Sequence, residues 1–258
     1  MKKLIWLIIL FPILFAGVEF DGVDDRINIT PDNTLESAGD FTIACWIYVN
    51  SFDDDIFHRI FNYHSATKEY ILSITGTNMI ADNSRTLCAG TDDINDYDAQ
   101  GTANAILATT WTHICAVYNS TAHTWTLYVD NSSLGTSDVE NFNYGDNGQA
   151  TIGNRLLSGL PSAMFDGIIN ELYFWDTSLT ATEVGLLVNS KIKQIGFQIQ
   201  SSNLQLYLPM DDEPDGSDGN GDTYNDMSGN GNSGTGNWGG NASGLQNKAE
   251  EVLTYPGD

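Results

Sequence analysis

The sequence predicts an all-β protein, an antiparallel two-sheet sandwich with one short helix. Three observations carry that reading. The first is a tight acidic turn, Phe20-Asp21-Gly22-Val23-Asp24-Asp25, feeding the alternating run Arg26-Ile27-Asn28-Ile29. It recurs in form at Phe165-Asp166-Gly167, ahead of Ile168 to Phe174. Two such turns, near opposite ends of a β-rich stretch, point to a sandwich that sets distant strands side by side. The second is the wealth of Gly, Asn, Ser, Thr and Asp beside only 17% charged residues. Gly and Asn supply positive φ and Asp caps its own backbone, so this composition suits many strands joined by turns. The third is length: 258 residues can bury a sizeable core, and all-β sandwiches of this size are often one domain.

Phe41 to Val49 is apolar or β-favouring at nearly every position, as a central strand requires. Glu69 to Ile74, Trp111 to Tyr118 and Thr124 to Val129 read as further strands. Asn119 to His123 joins the last two as a short hairpin, and Asp130-Asn131 turns the chain again because both residues tolerate left-handed backbone. Ala150 to Gly153 is a short strand and Gly167 to Trp175 a longer one. Thr180-Ala-Thr-Glu183 is a capping box that opens the helix through Val184, Leu186, Leu187 and Val188. Leu204 to Met210 alternates again and reads as a strand. From Asp211 to Gly244 the chain turns Gly-, Asn- and Asp-rich with almost no aliphatic residues, as a cation-ordered loop or a disordered one would.

The net charge is −24 with ten Lys and Arg. Such a surface repels phosphate backbones and anionic membranes, which excludes nucleic acid as a partner, and it attracts cations, calcium first where carboxylates cluster. Met1-Lys2-Lys3 followed by apolar Leu4 to Phe15 reads as a signal peptide, residues 1–16, too short to span a bilayer and so leaving no membrane span in the mature chain. Ala16-Gly17 offers small residues for cleavage, although Leu14 sits where another is usual; an uncleaved anchor or a segment buried in an assembly is the rival reading. Cys45, Cys88 and Cys115 are an odd set, so one thiol stays unpaired or bonds another chain. Cys45 and Cys115 lie in strand-like runs, where a buried cysteine acts as a small hydrophobe; a bridge between them in an oxidising compartment is the alternative.

The order FDGVDD, FTIACWIYV, WTHICAVYN, TWTLYVDN, FDGIINELYFWDTSLTATEV resembles the laminin-G-like, concanavalin-A-like lectin/glucanase jelly-roll family, over roughly Val18 to Asn189. Leu206 to Asp212, followed by Asp226-Met-Ser-Gly-Asn-Gly-Asn-Ser-Gly234, is similar to the opening of such domains, which normally precedes the FDG strand. Here it follows the helix. The expectation is one sandwich domain over residues 17–258, circularly permuted, with residues 204–258 supplying a terminal strand and an acidic Gly/Asn-rich loop; a truncated second copy is the alternative.

Two cation sites are expected. Asp218, Asn220, Asp222 and Asp226 stand at relative positions 1, 3, 5 and 9, with glycines between them permitting the sharp curl of a calcium loop. No glutamate closes the loop, and a solvated acidic linker is the plainer reading. The family resemblance implies a structural calcium near the DxSGNGN and FDG turns. By motif its ligands are Asp226, Asn230 and Asp166, with Glu171 at the usual acidic position and Asn170 where an Asp is usual. For Asp21 and Asp166 the alternative is a turn role, the carboxylates accepting backbone N–H bonds.

Catalysis finds little support. Sandwich glycosidases need two carboxylates flanking the sugar bond. No E-x-D-x-E run occurs, and Asp166 and Glu171, five apart, fall on opposite faces of a regular strand. His58, His64, His113 and His123 have no nucleophile elbow near them. Tyr63, His64, Tyr70, Tyr97, Tyr144 and Trp238 lie in or near loop-like stretches and could stack on sugars, whereas Trp46, Trp125 and Trp175 read as core. The sequence therefore points to a secreted, non-catalytic, calcium-stabilised recognition or adhesion module for a polysaccharide or glycoprotein. The alternatives are a structural subunit of a virion or filament, bound to neighbouring copies, and a glycoside hydrolase.

Overall fold

The computed structural model describes residues 14–29, 34–37, 39–52, 57–64, 69–76, 85–91, 99–138, 148–157, 160–190, 195–211, 218–237 and 246–252. In chain order the strands are β1 Leu14–Asp21, β2 Arg26–Ile29, β3 Phe41–Val49, β4 Phe57–His64, β5 Glu69–Thr75, β6 Leu87–Thr91, β7 Ala99–Gln100, β8 Trp111–Asn119 and β9 Thr124–Val129. There follow β10 Ser132–Asp138, β11 Gln149–Ile152, β12 Arg155–Leu157, β13 Leu160–Ser162, β14 Asp166–Trp175, helix α1 Ala181–Asn189 and a 3-10 turn at Ile195–Gln198. Last come β15 Leu204–Leu208, β16 Thr223–Tyr224, β17 Gly234–Asn237 and β18 Gln246–Val252.

The first sheet runs β10-β9-β8-β3-β14-β1-β18, with β15 also on β14; the second runs β16-β17-β2-β11-β4-β5-β6-β7. All pairings in both are antiparallel, so this is the two-sheet jelly-roll sandwich the sequence calls for. Asp130 and Asn131 both take positive φ, 46° and 64°, the geometry of a two-residue hairpin turn between β9 and β10.

The two sheets close on one apolar core. Phe41 lies at its centre, 5.1 Å from Tyr70, 5.3 Å from Tyr118, 5.1 Å from Trp125 and 5.6 Å from Phe174. Burying each such ring contributes about 1.5–3 kcal/mol. A second cluster forms on the other face of the first sheet, where Val184 and Leu187 of α1 pack with Tyr173, Trp175 and Tyr207. The capping box of α1 is present: Glu183 N donates to Thr180 Oγ1 at 3.3 Å, and Thr180 N donates to Glu183 Oε2 at 2.8 Å.

The structure bears on five expectations. Ala44 pairs with Cys115 and Cys45 with Ile114, so the two thiols leave adjacent strands from opposite faces, Cys45 toward the inter-sheet core and Cys115 toward α1. They cannot bond, and all three cysteines are free and buried. Strand β1 spans Leu14–Asp21 and includes the Ala16-Gly17 step; residues 1–13, most of the expected leader, are outside the described residues. The acidic tail is neither plain loop nor disorder over residues 218–237, because β17 pairs with β2 and carries β16. Tyr63 and Tyr70 are not loop residues: they stack at 4.8 Å in the core, 1% and 0% exposed.

The last is overturned: Asp166 and Glu171 do not fall on opposite faces of β14. A β-bulge between Asn170 and Tyr173 shifts the alternation of β14, and Glu171 takes φ 49°. Asp166 and Ile168 then share the α1-side face with Glu171 and Tyr173, whose hydroxyl donates to Glu171 Oε2 at 3.1 Å. Among the described residues no helix is long and apolar enough to cross a membrane.

Candidate functional site

Strand alternation gives the second sheet an outer face that is polar from β16 to β11 and apolar at Phe57, Ile71 and Cys88 of β4, β5 and β6. Ile27 and Ile29 of β2, Ala150 and Ile152 of β11, and Phe61 and Tyr63 of β4 all enter the core. The residues between them, Asn28, Thr151 and Asn62, therefore point outward. The register aligns these three with two more, so that Thr223, Thr235, Asn28, Thr151 and Asn62 form one row across β16, β17, β2, β11 and β4. With strands about 4.8 Å apart, the row is about 19 Å long.

The row deepens along its length. Thr223 and Thr235 are exposed, Asn28 is half-buried, and Thr151 and Asn62 are 3% and 1% exposed. Thr151 Oγ1 donates to the Asn154 carbonyl at 2.8 Å. Asn62 Oδ1, fully enclosed, accepts no hydrogen bond. An acceptor left so costs about 1–3 kcal/mol. Beside the row, exposed Gln149 and His64 are paired across β11 and β4.

Among the described residues, Arg26 and Arg59 touch this face, and both are engaged. Arg26 Nε donates to Asn28 Oδ1 at 3.2 Å and Nη1 to the Asp24 carbonyl at 3.4 Å. Burial lowers the Arg26 pKa while the neighbouring Asp24 charge works against that shift. Arg59, 1% exposed, donates from Nη1 to Ser73 Oγ at 2.6 Å, with its guanidinium carbon 5.3 Å from the Phe57 ring centroid.

At the start of β2 the acidic turn draws three carboxylates together. Oxygens of Asp21, Asp24 and Asp25 all lie within 4.8 Å of one another. Asp21 Oδ1 accepts from Val23 N at 2.8 Å and Asp24 N at 3.3 Å, while Asp25 Oδ2 accepts from Asp21 N at 2.9 Å. Gly22 holds φ 74° and donates its N–H to the Phe165 carbonyl at 3.1 Å. A Cβ there would come within 2.9 Å of Asp166 Cβ, so glycine is needed for the approach of the two turns. Like charges 4.8 Å apart repel by about 1 kcal/mol in water and about 3 kcal/mol at an effective dielectric near 20. Calcium–oxygen bonds of about 2.4 Å place opposed ligands about 4.8 Å apart, so this donor set fits a hard divalent cation.

The predicted ligands are distributed otherwise. Asp166 lies opposite Asp21 in the β1–β14 register, and its carboxylate accepts from Asn50 Nδ2 at 3.0 Å and from Ser51 Oγ. Glu171 is buried at the bulge. Asp218 Oδ1 accepts from Asn220 N at 2.9 Å, and Gly221 N and the Asp222 carbonyl bond Gly236, so that turn is held as an extension of β17. Asp226 uses both oxygens on its own turn and on β15. Oδ1 accepts from Tyr207 N at 3.0 Å and Ser228 N at 2.9 Å; Oδ2 accepts from Ser228 Oγ at 2.8 Å and Asn232 N at 3.0 Å. Asn230 Nδ2 donates to the Leu204 carbonyl at 2.8 Å.

Sequence reasoning passed over Asp24, Asp25 and the polar row. The triplets Ile-Asn-Ile, Ala-Thr-Ile and Phe-Asn-Tyr each carried the signal of an outward polar residue, without the register that joins them. Of the expected sugar-stacking residues, His64 is exposed at the end of β4, and Tyr97, Tyr144 and Trp238 lie outside the described residues.

The sequence matches the family model of the concanavalin A-like lectin/glucanases superfamily over residues 21–185. No curated protein sequence matches it. Among solved structures, the fold is similar to a candidate carbohydrate-binding protein from Bacteroides ovatus, with TM-score 0.64 and 19% identity over 95% of this chain and 62% of that one. The chain thus spans less than two thirds of that protein's length. It is also similar to the native heptameric SAP-like pentraxin of Limulus polyphemus, with TM-score 0.51 and 15% identity over 70% of this chain and 85% of that one. The IT-sialidase CBM40 of Ruminococcus gnavus gives TM-score 0.51 and 13% identity over 66% of this chain and 97% of that one. At these identities the likeness is one of fold. With the paired FDG turns, the two-sheet jelly roll and the family match in agreement, the chain belongs to the concanavalin A-like lectin/glucanases superfamily, laminin-G type.

Proposed function

We propose that the chain is a non-catalytic, extracellular glycan-recognition module, stabilised by calcium, whose ligand lies along the outer face of the second sheet. The observation that carries this reading is the row of hydroxyls and carboxamides that the register aligns across five strands, open to solvent at Thr223, Thr235 and Asn28. Sugar hydroxyls both donate and accept, and such a row matches them group for group. Membership of a lectin/glucanase superfamily and the likeness to a candidate carbohydrate-binding protein over 95% of this chain support it.

Catalysis by Asp166 and Glu171 is disfavoured on geometry. The bulge puts both on one face, yet five residues of strand separate them by about 15 Å. Glycosidase carboxylates stand about 5–9.5 Å apart. Calcium would be held by Asp21, Asp24 and Asp25, where it would cancel their mutual repulsion and pin the turn that sets β2 beside β11. Asp218 and Asp222, which reach solvent, are the weaker candidates.

A glycan array and a reducing-end release assay test the function together. The expected result is retention of at least one glycan class, weakened in Thr235→Leu at the exposed end of the row, with no sugar released. Release of reducing ends, or retention unchanged in a folded Thr235→Leu, would overturn the reading.

A further inference from the structure

We infer that Asn131 is a modification site that carries an N-linked oligosaccharide, an inference that rests on the extracellular setting proposed above. Asn-x-Ser/Thr triplets begin at Asn28, Asn119, Asn131 and Asn241, the last outside the described residues. Such a triplet suits a sugar only where the folded surface leaves room for a bulky, hydrated chain. The fold separates the three described triplets.

Asn131, Ser132 and Ser133 are all exposed. Asn131 is the second residue of the two-residue turn between β9 and β10, held at φ 64°, and Ser132 and Ser133 open β10 at the edge of the first sheet. The Asn131 carboxamide lies beside α1 at a position without a side chain. A Cβ on Gly185 would stand 3.1 Å from its Oδ1 and 3.3 Å from its Nδ2, so the bare helix position gives the amide room that an alanine would take.

The other two triplets are held within the fold. Asn119 is half-buried and its Oδ1 accepts from Ala122 N at 2.7 Å, while the neighbouring Ser120 donates from N at 2.8 Å and from Oγ at 2.6 Å to Asp40 Oδ1. Asn28 is half-buried between β17 and β11, and its Oδ1 accepts from Arg26 Nε at 3.2 Å. A sugar on either nitrogen would displace packed neighbours and strip water from its own hydroxyls. On Asn28 it would also lie across the polar row, whereas Asn131 belongs to the opposite sheet. The step joins Asn131 Nδ2 to the anomeric carbon of an oligosaccharide activated as a lipid diphosphate. The bond from that carbon to the phosphate oxygen breaks, the lipid diphosphate leaves with the bonding pair, and one amide proton is released.

The test expresses the full chain in secreting eukaryotic cells and maps each triplet by peptide mass before and after an N-glycan amidase. A sugar on Asn131, with Asn28 and Asn119 bare, supports the inference. Two variants remove the triplet independently: Asn131→Asp, which keeps a residue tolerant of the left-handed turn, and Ser133→Ala, which keeps Asn131 itself. Each should lose the mass increment at this triplet while the circular dichroism spectrum stays that of wild type. A secreted, folded chain with Asn131 bare, or with Asn28 or Asn119 occupied to the same extent, overturns the inference and leaves the extracellular reading standing. A chain that stays inside the cell without sugar overturns both.

Discussion

Replacing Asp226 with alanine separates two roles for the residue that sequence motifs assign to a calcium site. Its four accepted hydrogen bonds fall into two kinds. Those from Ser228 lie within a half-exposed turn, where water can take over. Those from Tyr207 N and Asn232 N are different, because Tyr207 is 1% and Asn232 0% exposed and neither amide gains another acceptor when the carboxylate goes. Two orphaned donors at about 1–3 kcal/mol each suggest a loss of about 3 kcal/mol overall. For a chain of this size that is a fall in Tm of about 6–12 °C. Melting would be followed by circular dichroism, for wild type and variant, in millimolar calcium and in excess chelator. Because these bonds need no ion, the gap between the two proteins should be the same in both buffers. If the gap closes in chelator, Asp226 works through calcium, and its hydrogen bonds are not what the turn depends on.

Chelation should lower the wild-type Tm, since an ion at a hundred times its Kd contributes about 2.7 kcal/mol. Asp25→Asn should remove most of that response, and an identical melt with and without chelator would end the calcium proposal. Burial depresses the His113 pKa from 6.5 to about 3, so the neutral form is the folded one. Its contribution is complete above pH 6.5 and is lost as pH falls from 6.5 toward 3, by about 2 kcal/mol between pH 6.5 and 5; His113→Leu should flatten the urea-midpoint profile in that window, and an unchanged slope would refute the assignment. Burial raises the thiol pKa of Cys45, Cys88 and Cys115. All three should resist alkylation until denaturant is added, with Tm indifferent to reductant; one thiol titrating in the native protein would contradict their placement.

The strands that could be read from sequence are those whose environment is uniform or alternates regularly, as in Arg26–Ile29. FTIACWIYV and WTHICAVYN are buried nearly throughout, and continuous apolar runs betray that directly. Strand β4, Phe-His-Arg-Ile-Phe-Asn-Tyr-His, escaped because its register shifts between Arg59 and Phe61, and because it buries His58, Arg59 and Asn62 alongside its aromatics. Period-2 reading has no purchase on such a run. Gly234-Thr-Gly-Asn237 escaped for another reason: glycine has little β-propensity, and only pairing with β2 makes a strand of it. The Glu171 bulge inverted an argument about faces that holds for any regular strand. At the candidate site, each outward residue was visible inside its triplet, but the row exists only through pairings between β2, β4, β11, β16 and β17 that local pattern cannot supply.

The bulge has a cause in the way β14 is shared. Its first half, Asp166 to Ile169, pairs with β1, and its second half, Leu172 to Trp175, pairs with β15 on the same side. Asn170 and Glu171 stand where one neighbour gives way to the other, and Glu171 N there donates to the Pro209 carbonyl at 3.4 Å. That handover lets a strand from the chain's tail fill the place that β1 leaves. It also creates an edge, because β15 has β14 on one side only among the described strands. The turn after Asp226 covers that edge: Asp226 accepts from Tyr207 N, Met227 N donates to the Tyr207 carbonyl at 2.8 Å, and Asn230 and Asn232 donate to the carbonyls of Leu204 and Gln205. Unpaired strand edges invite aggregation, and proteins cover them. The D-x-S-G-N-G-N spacing thus has a sufficient physical reason in the strand it shields: one carboxylate and two carboxamides placed to satisfy the backbone groups that β14 cannot reach.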